Sequence, residues 1–464
     1  MFKACYLTAR RFAPPALLTW LDRVEGSQTG SRLARGVFWS VVGTVISRLL
    51  ALAAGIVAAH VLGKVAFGEL GILQSTLSMF ATFATFGVGL TATKHVAEYR
   101  KTDPERAGRV IAISYLVALV SGCAIVLLMV VTAPLVATSC LGAPHLAGMV
   151  ALSSVALLLL VLNEAQVGAL SGLEAFRRRS TIQANAGLAA FPITVAGVYF
   201  FGLTGAVCAL ALTSGVLVVL NYQGIRKEAA QAGIPIRWDG LRSEMGLIWR
   251  FNLPTLLCGS VYVPSMWVAN LLMVNGPGGY AEMGLFSAAD RWRTAIMFLP
   301  ALLGGVALPM LSSLAGNSSA RQFQKLFRAN VAISFLLSLA AAVPIAALSP
   351  WIMRSYGLAF SEGSWVLVIL CATAVMHAAY WIIGQSLVSK GRVWTIFRLN
   401  LGWALLLLGS IWFLRHHGAK GLATSYLVAD GFRLAAGLVV SRRLLGGGTE
   451  APLAEAAEAR ITLP

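Results

Sequence analysis

Charge is scarce in this chain. Of its 464 residues only 12% are Asp, Glu, Lys or Arg, and the acids number 18. An ordinary soluble domain carries about 25% charged residues, so a water-soluble globular chain is excluded. Nucleotide-hydrolysis and hydrolase signatures are missing as well. There is no GxxxxGK[ST] to cradle phosphates, no HExxH to hold zinc and no GxSxG elbow. The polar stretches are too short to house an enzyme between the apolar runs. Cysteine is sparse: Cys5, Cys123, Cys140, Cys208, Cys258 and Cys371, none in a CxxC pair and most within apolar runs. They read as small core residues, which excludes a disulfide framework and a metal centre. No secretory leader is expected. The first 35 residues hold Lys3, Arg10, Arg11, Arg23, Arg32 and Arg35, and Pro14–Pro15 break the only apolar candidate.

What the chain has in quantity is apolar length. Hydrophobic residues make up 58% of it and the mean hydropathy is +0.78. Runs of about 20 apolar residues recur from end to end, and in lipid such runs must be helices, because each backbone N–H and C=O has to be satisfied within its own segment. The expected fold is an all-α polytopic membrane protein of about twelve transmembrane helices. The spans fall near 36–62, 67–93, 109–133, 146–170, 183–201, 203–224, 246–273, 283–310, 329–350, 363–388, 393–414 and 419–440. An even number puts both termini on one side. That side carries 28 Lys and Arg residues, whereas the other holds only Lys64, Arg354, Arg415 and Lys420. The positive-inside rule therefore predicts cytoplasmic termini. It also accounts for the net charge of +18 without nucleic acid, since these charges set topology and touch lipid headgroups.

The sequence repeats. FGELGIL at 67–73 matches YAEMGLF at 280–286, an offset of 213, and GLTGAV from Gly202 resembles GAKGLA from Gly418, an offset of 216. Two matches at nearly one offset predict two parallel six-helix lobes around a central cavity. The expected layout is a basic arm at 1–35, an N-lobe at 36–224, a basic linker at 225–245, a C-lobe at 246–440 and a tail at 441–464.

A few charges fall inside spans, where an ion is costly unless it faces protein or a wet cavity. Arg48 lies about 12 residues into its span, roughly 18 Å at about 1.5 Å per residue, near mid-bilayer. It is either a cavity cation for an anionic substrate or a structural arginine bonded to neighbouring carbonyls. Asp290 and Arg293 are three apart and can pair, as are Asp430 and Arg433. Each pair is either part of the cavity or an internal neutralised bridge. Arg291 points about 100° away from its neighbour and lacks a local partner. The candidate substrate-binding cations are thus Arg48, Arg291, Arg293 and Arg433. Glu164, Asp290 and Asp430 are candidate coupling or gating acids. Trp292 stacks on a sugar ring or simply packs, and His377 reads as a satisfied core histidine.

Several stretches resemble a known family. The run GVFWSVVGTVISRLLALAAGIVAAHVLGKVAFGELGILQSTLSMFATFATFGVGLTATKHVAEYR is similar to the first two helices and following loop of bacterial Wzx-type polysaccharide (O-antigen) flippases. GALSGLEAFRRRS, FNLPTLL and YAEMGLFSAADRWRTAIMFLPALLGGVALPMLSSL resemble later parts of the same family. The likeness covers most of 36–443 and implies the multidrug/oligosaccharidyl-lipid/polysaccharide exporter superfamily, with two helical lobes around a cavity. It further implies translocation of undecaprenyl-diphosphate-linked oligosaccharide across the bacterial inner membrane by alternating access, with Arg48, Arg291, Arg293 and Arg433 as diphosphate partners. Expected partners are the lipid-linked oligosaccharide, membrane lipids and a polysaccharide polymerase. No cofactor is expected. Two other readings stand beside it: a cation-coupled multidrug exporter of the same superfamily, and a non-transporting scaffold of an envelope-synthesis complex. Cations within spans outnumber acids, four to three, which favours an anionic substrate.

Overall fold

The computed structural model describes residues 28–85, 87–240, 244–298, 300, 320–389 and 392–446. Most of the expected basic arm, the tail beyond 446 and the end of the eighth expected span lie outside them. Every regular element among the described residues is a helix. Seven of these helices are long and apolar enough to cross a membrane, as the composition demands.

The first half contains α1 (Gln28–Thr85), α2 (Val88–Tyr99), α3 (Pro104–Leu135), α4 (Ala147–Gly172) and α5 (Phe176–Gln231). The second contains α6 (Met245–Val274), α7 (Gly279–Ile296), α8 (Ala320–Ala347), the short α9 (Ser349–Ser355), α10 (Ser364–Ser389), α11 (Val393–Leu414) and α12 (Gly418–Gly446). Two of the long helices fold back on themselves at a glycine. Gly63 breaks α1 with φ 75° and ψ 175°, and Gly202 breaks α5 with φ 55° and ψ −132°. A side chain disfavours these angles, and glycine tolerates them.

The repeat is visible in the backbone. Gly418, the counterpart of Gly202, has φ 54° and ψ −132°, almost the same pair of angles. Gly205 and Gly421, three residues on in each motif, both press against a carbonyl oxygen of the preceding helix, Gly197 in one case and Leu414 in the other. One sequence device therefore makes the same tight helical reversal twice.

Within the first half α1 and α4 pack on α5; within the second α8 and α12 pack on α10, and α11 on α12. The halves meet chiefly where α1 lies along α7. A buried apolar cluster runs unbroken through both, from Ala58 and Phe67 to Met283, Tyr356 and Ala429. With the breaks at Gly63, Gly202 and Gly418 at one end of the bundle, that end is called distal here; the opposite end carries Gln28 and Gly446.

Two boundaries differ from the sequence expectation. The second expected span is interrupted at Gly87 (φ 66°), the residue before α2; just past the break, Gly89 and Gly168 let α2 and α4 cross backbone to backbone. The linker expected from 225 starts later. α5 continues to Gln231 because Ile225 and Ala229 are buried and Arg178 donates to Glu228 at 3.0 Å.

Candidate functional site between the two halves

The repeat motifs that flag the two halves also join them. Gly68 and Gly284, one from each motif, allow α1 and α7 to cross so closely that a Cβ at Gly68 would collide with the Tyr280 carbonyl, and one at Gly284 with the Lys64 carbonyl. Small residues at such crossings are what helix association in lipid requires. Polar ties secure the rest of the seam from the distal end inward. Tyr280 donates its hydroxyl to the Leu141 carbonyl at 2.7 Å, and Asn275 donates to the Cys140 carbonyl at 2.7 Å. Trp267 donates to Thr76 at 3.0 Å and Asn270 to Ser75 at 2.8 Å. Lys64 pairs with Glu362 at 3.3 Å.

Further along the same seam come the two cations. Arg291, on α7, lies over the Phe67 ring of the first half, 5.2 Å from its centroid, and packs its guanidinium 3.0 Å from where a Cβ at Gly55 would stand. Arg48, on α1, lies over the Phe298 ring of the second half at 5.5 Å. Gly55 to Arg48 is seven residues, as is Arg291 to Phe298. The first arm of α1 and α7 therefore run antiparallel here, and the two guanidiniums occupy successive levels of one seam, roughly 10 Å apart along the axis at about 1.5 Å per residue. Arg48 is exposed and Arg291 partly buried. Neither has a carboxylate or hydrogen-bond partner among the described residues, and an aromatic ring holds the face of each guanidinium.

The other two candidate cations are placed differently. Arg433 is 2% exposed and Asp430 1%, deep in the second half. Arg433 donates to Asp430 at 2.7 Å and to His377 Nδ1 at 2.5 Å, Trp403 donates to the same carboxylate oxygen at 2.9 Å, and the guanidinium is walled by Tyr380, Trp403 and Tyr262. Arg293 is 5% exposed, donates to Asp290 at 2.5 Å and lies over Tyr426. Arg293 and Arg433 thus stand in this structure as internal neutralised bridges, one of the two readings their spacing left open. The reason is the three-residue spacing, which puts acid and base on one helix face, together with the cost of burying either charge alone. Asp290 and Asp430 are taken up as their partners. His377 is the satisfied core residue expected of it. Trp292 donates to the Tyr356 hydroxyl at 3.0 Å and packs on the shared core, so its indole edge is engaged.

Glu164 stands away from this seam. It is exposed and lines a cleft of about 420 Å³ in the first half, whose polar lining residues include Thr82, Thr85, Thr93, Ser171 and Arg179. Arg179 donates to Ser171 at 3.0 Å. Phe67 and Phe298, the rings that seat the free cations, were not anticipated from the sequence. Phe67 could have been, since it opens the first repeat motif.

Comparison with known proteins completes the picture. Residues 33–315 match the family described as polysaccharide biosynthesis protein. The chain belongs to that family. A relative from Ralstonia nicotianae (strain ATCC BAA-1114 / GMI1000), described as the EPS I polysaccharide export inner membrane protein EpsE, is 26% identical over 78% of this chain and 82% of its own. Among solved structures, the inward-facing conformation of a multidrug resistance MATE family transporter of the MOP superfamily superposes with a TM-score of 0.74 at 17% identity, over 86% of this chain and 94% of that one. The lipid II flippase MurJ in its inward closed conformation superposes with a TM-score of 0.67 at 15% identity, over 87% of each chain. At these identities the structures establish the fold. The family, the export-protein relative and the apolar helices make this member a multi-pass membrane transporter rather than an enzyme.

Proposed function

We propose that the chain is a flippase for polysaccharide export, moving a diphosphate-linked oligosaccharide on a lipid carrier from the cytoplasmic to the outer leaflet of a bacterial inner membrane. In this reading twelve spans form two six-helix lobes, both termini are cytoplasmic, and the lobes rock about the α1–α7 seam to give alternating access. The observation that carries it is the pair Arg48 and Arg291, two guanidiniums without acid partners among the described residues, on successive levels of that seam. A diphosphate cannot cross hydrocarbon unaided. Arginine suits it, because the planar fork donates two parallel hydrogen bonds to phosphate oxygens and stays charged. Only the face of each guanidinium is held by a ring, so its donor edge is free to meet the anion. The lipid tail stays in the bilayer while the head group passes.

A cation-coupled drug exporter fits less well. Its cavity calls for carboxylates, and the acid beside Arg291 in sequence, Asp290, is engaged by Arg293. The test is complementation of a flippase-null strain with Arg48→Ala and Arg291→Ala, scoring surface glycan and protein abundance together. Loss of glycan at normal abundance is the expected result. Normal surface glycan in both variants would overturn the cationic-seam reading and leave a scaffold role as the better one.

A further inference from the structure

The second half carries a groove that plays no part in the seam. It has a volume of about 970 Å³ and runs between α8 and α12, with Ala379 of α10 among its lining residues. On α8 the residues that line it recur at Phe327, Val331 and Phe335, and on α12 at Leu434 and Leu438, each set one helix face. Both walls are apolar and end in a cation. Arg328 lies in the third turn of α8 and Arg442 near the end of α12; since these helices run in opposite directions, the two arginines share the end of the bundle that carries Gly446. Both are exposed, and neither has an acidic partner among the described residues. From Arg328 to Leu336 is eight residues, and from Arg442 to Leu434 is eight as well. Each wall is therefore about 12 Å long at about 1.5 Å per residue.

Those proportions match one kind of molecule. A single leaflet of bilayer hydrocarbon is roughly 15 Å deep, half of the full core of about 30 Å. An apolar trough of nearly that length, open to the lipid at Phe335 and Leu336 and capped by two guanidiniums, fits an acyl chain with a phosphate at its head. Paired arginines between helices at a basic membrane face are a recurring headgroup clamp. We propose that this groove binds an anionic phospholipid of the bilayer, its phosphate held between Arg328 and Arg442 and one acyl chain laid along Phe327, Val331 and Leu438. By bridging α8 and α12, the lipid ties the outer helices of the second half together. The proposal rests on membrane residence alone and is independent of the substrate carried at the seam.

The test is lipid titration of the full-length protein in detergent, followed by native mass spectrometry and by thermal unfolding. Three lipids are compared: phosphatidylglycerol, phosphatidylcholine and undecaprenyl phosphate. Phosphatidylglycerol is expected to bind about tenfold more tightly than phosphatidylcholine and to raise the unfolding temperature. The double variant Arg328→Gln/Arg442→Gln is expected to lose that preference, since the two cations supply the attraction for the anionic headgroup. Ala379→Phe, which fills the groove and leaves both arginines in place, is expected to lose binding of the chain itself. Val331→Phe tests the same point from the opposite wall should the first variant fold poorly. Equal affinity for phosphatidylglycerol and phosphatidylcholine, or a preference unchanged by the double variant, overturns the proposal. So does tighter binding of undecaprenyl phosphate, which would make the groove a seat for the carrier instead.

Discussion

Arg291, from the second half, stacks on Phe67, from the first, and the same pattern returns in reverse where Arg48 of the first half meets Phe298 of the second. Each half lends a cation to the seam and each receives one on an aromatic ring. A cation held by a ring alone is seated by about 0.5–2 kcal/mol. That is enough to orient it and too little to satisfy it. In the proposed function, an arriving phosphate takes the guanidinium's edge without displacing an internal carboxylate.

The identity of the cation at 291 should matter as well as its charge. Arg291→Lys keeps the positive charge but loses the planar stack and the bidentate edge. Export is expected to fall about tenfold, consistent with losing one charge-assisted hydrogen bond, whereas Arg291→Gln should abolish it. The measurement is the rate of appearance of labelled glycan on the outer leaflet. A lysine variant as active as wild type would show that only charge counts.

The crossing at Gly68 and Gly284 should tolerate no side chain. Gly68→Leu places bulk against the Tyr280 carbonyl and Gly284→Leu against that of Lys64. Overpacking of this kind typically costs about 1–3 kcal/mol. Thermal unfolding of the purified variants is expected to shift downward, with Gly148→Leu, at a position with open space around it, as the unshifted control.

A cross-link at the distal end should arrest transport if the seam opens there. A Cβ at Gly71 stands 3.0 Å from the Ser287 Cβ, closer than the about 3.8 Å spacing of a disulfide, so the two helices need part only slightly to reach bonding geometry. In a background without the native cysteines, Gly71→Cys/Ser287→Cys is expected to export normally when reduced and to stop when oxidised. Continued export by the fully oxidised protein would rule out opening of the bundle at this level.

Buried and exposed ion pairs should separate cleanly. Arg433→Ala strands Asp430 at 1% exposure and is expected to cost about 3–5 kcal/mol, seen as lost abundance and early unfolding. The combined Arg433→Met/Asp430→Leu change should cost less than Arg433→Ala alone. Glu362→Ala removes a partner that is 75% exposed and should cost under about 1 kcal/mol. The double change proving worse than the single one would mean that the pair is needed as charge, not merely as a neutral unit.

Much of this arrangement was legible beforehand. The repeat motifs announced both the Gly202 and Gly418 reversals and the Phe67 and Tyr280 segments that meet at the seam. The three-residue spacing of Asp290 with Arg293, and of Asp430 with Arg433, announced two bridges but not whether they faced a cavity. That depended on Tyr262, Tyr380, Trp403 and Tyr426, which lie far off in sequence and close over the guanidiniums only when the helices pack. The break at Gly87 was hidden because a single glycine inside an apolar run does not by itself end a helix.

By itself the sequence determined that the chain lives in a membrane, that it is helical, that it carries matching motifs about 215 residues apart, and which few ions are stranded among apolar residues. Those properties follow from composition and spacing along one helix, where hydrocarbon leaves the backbone a single way to satisfy itself. Only the tertiary structure decided which stranded ions are neutralised and which stand free. An ion's surroundings are made by helices distant in the chain, and whether a carboxylate or only an aromatic ring lies within reach of an arginine is settled when they come together.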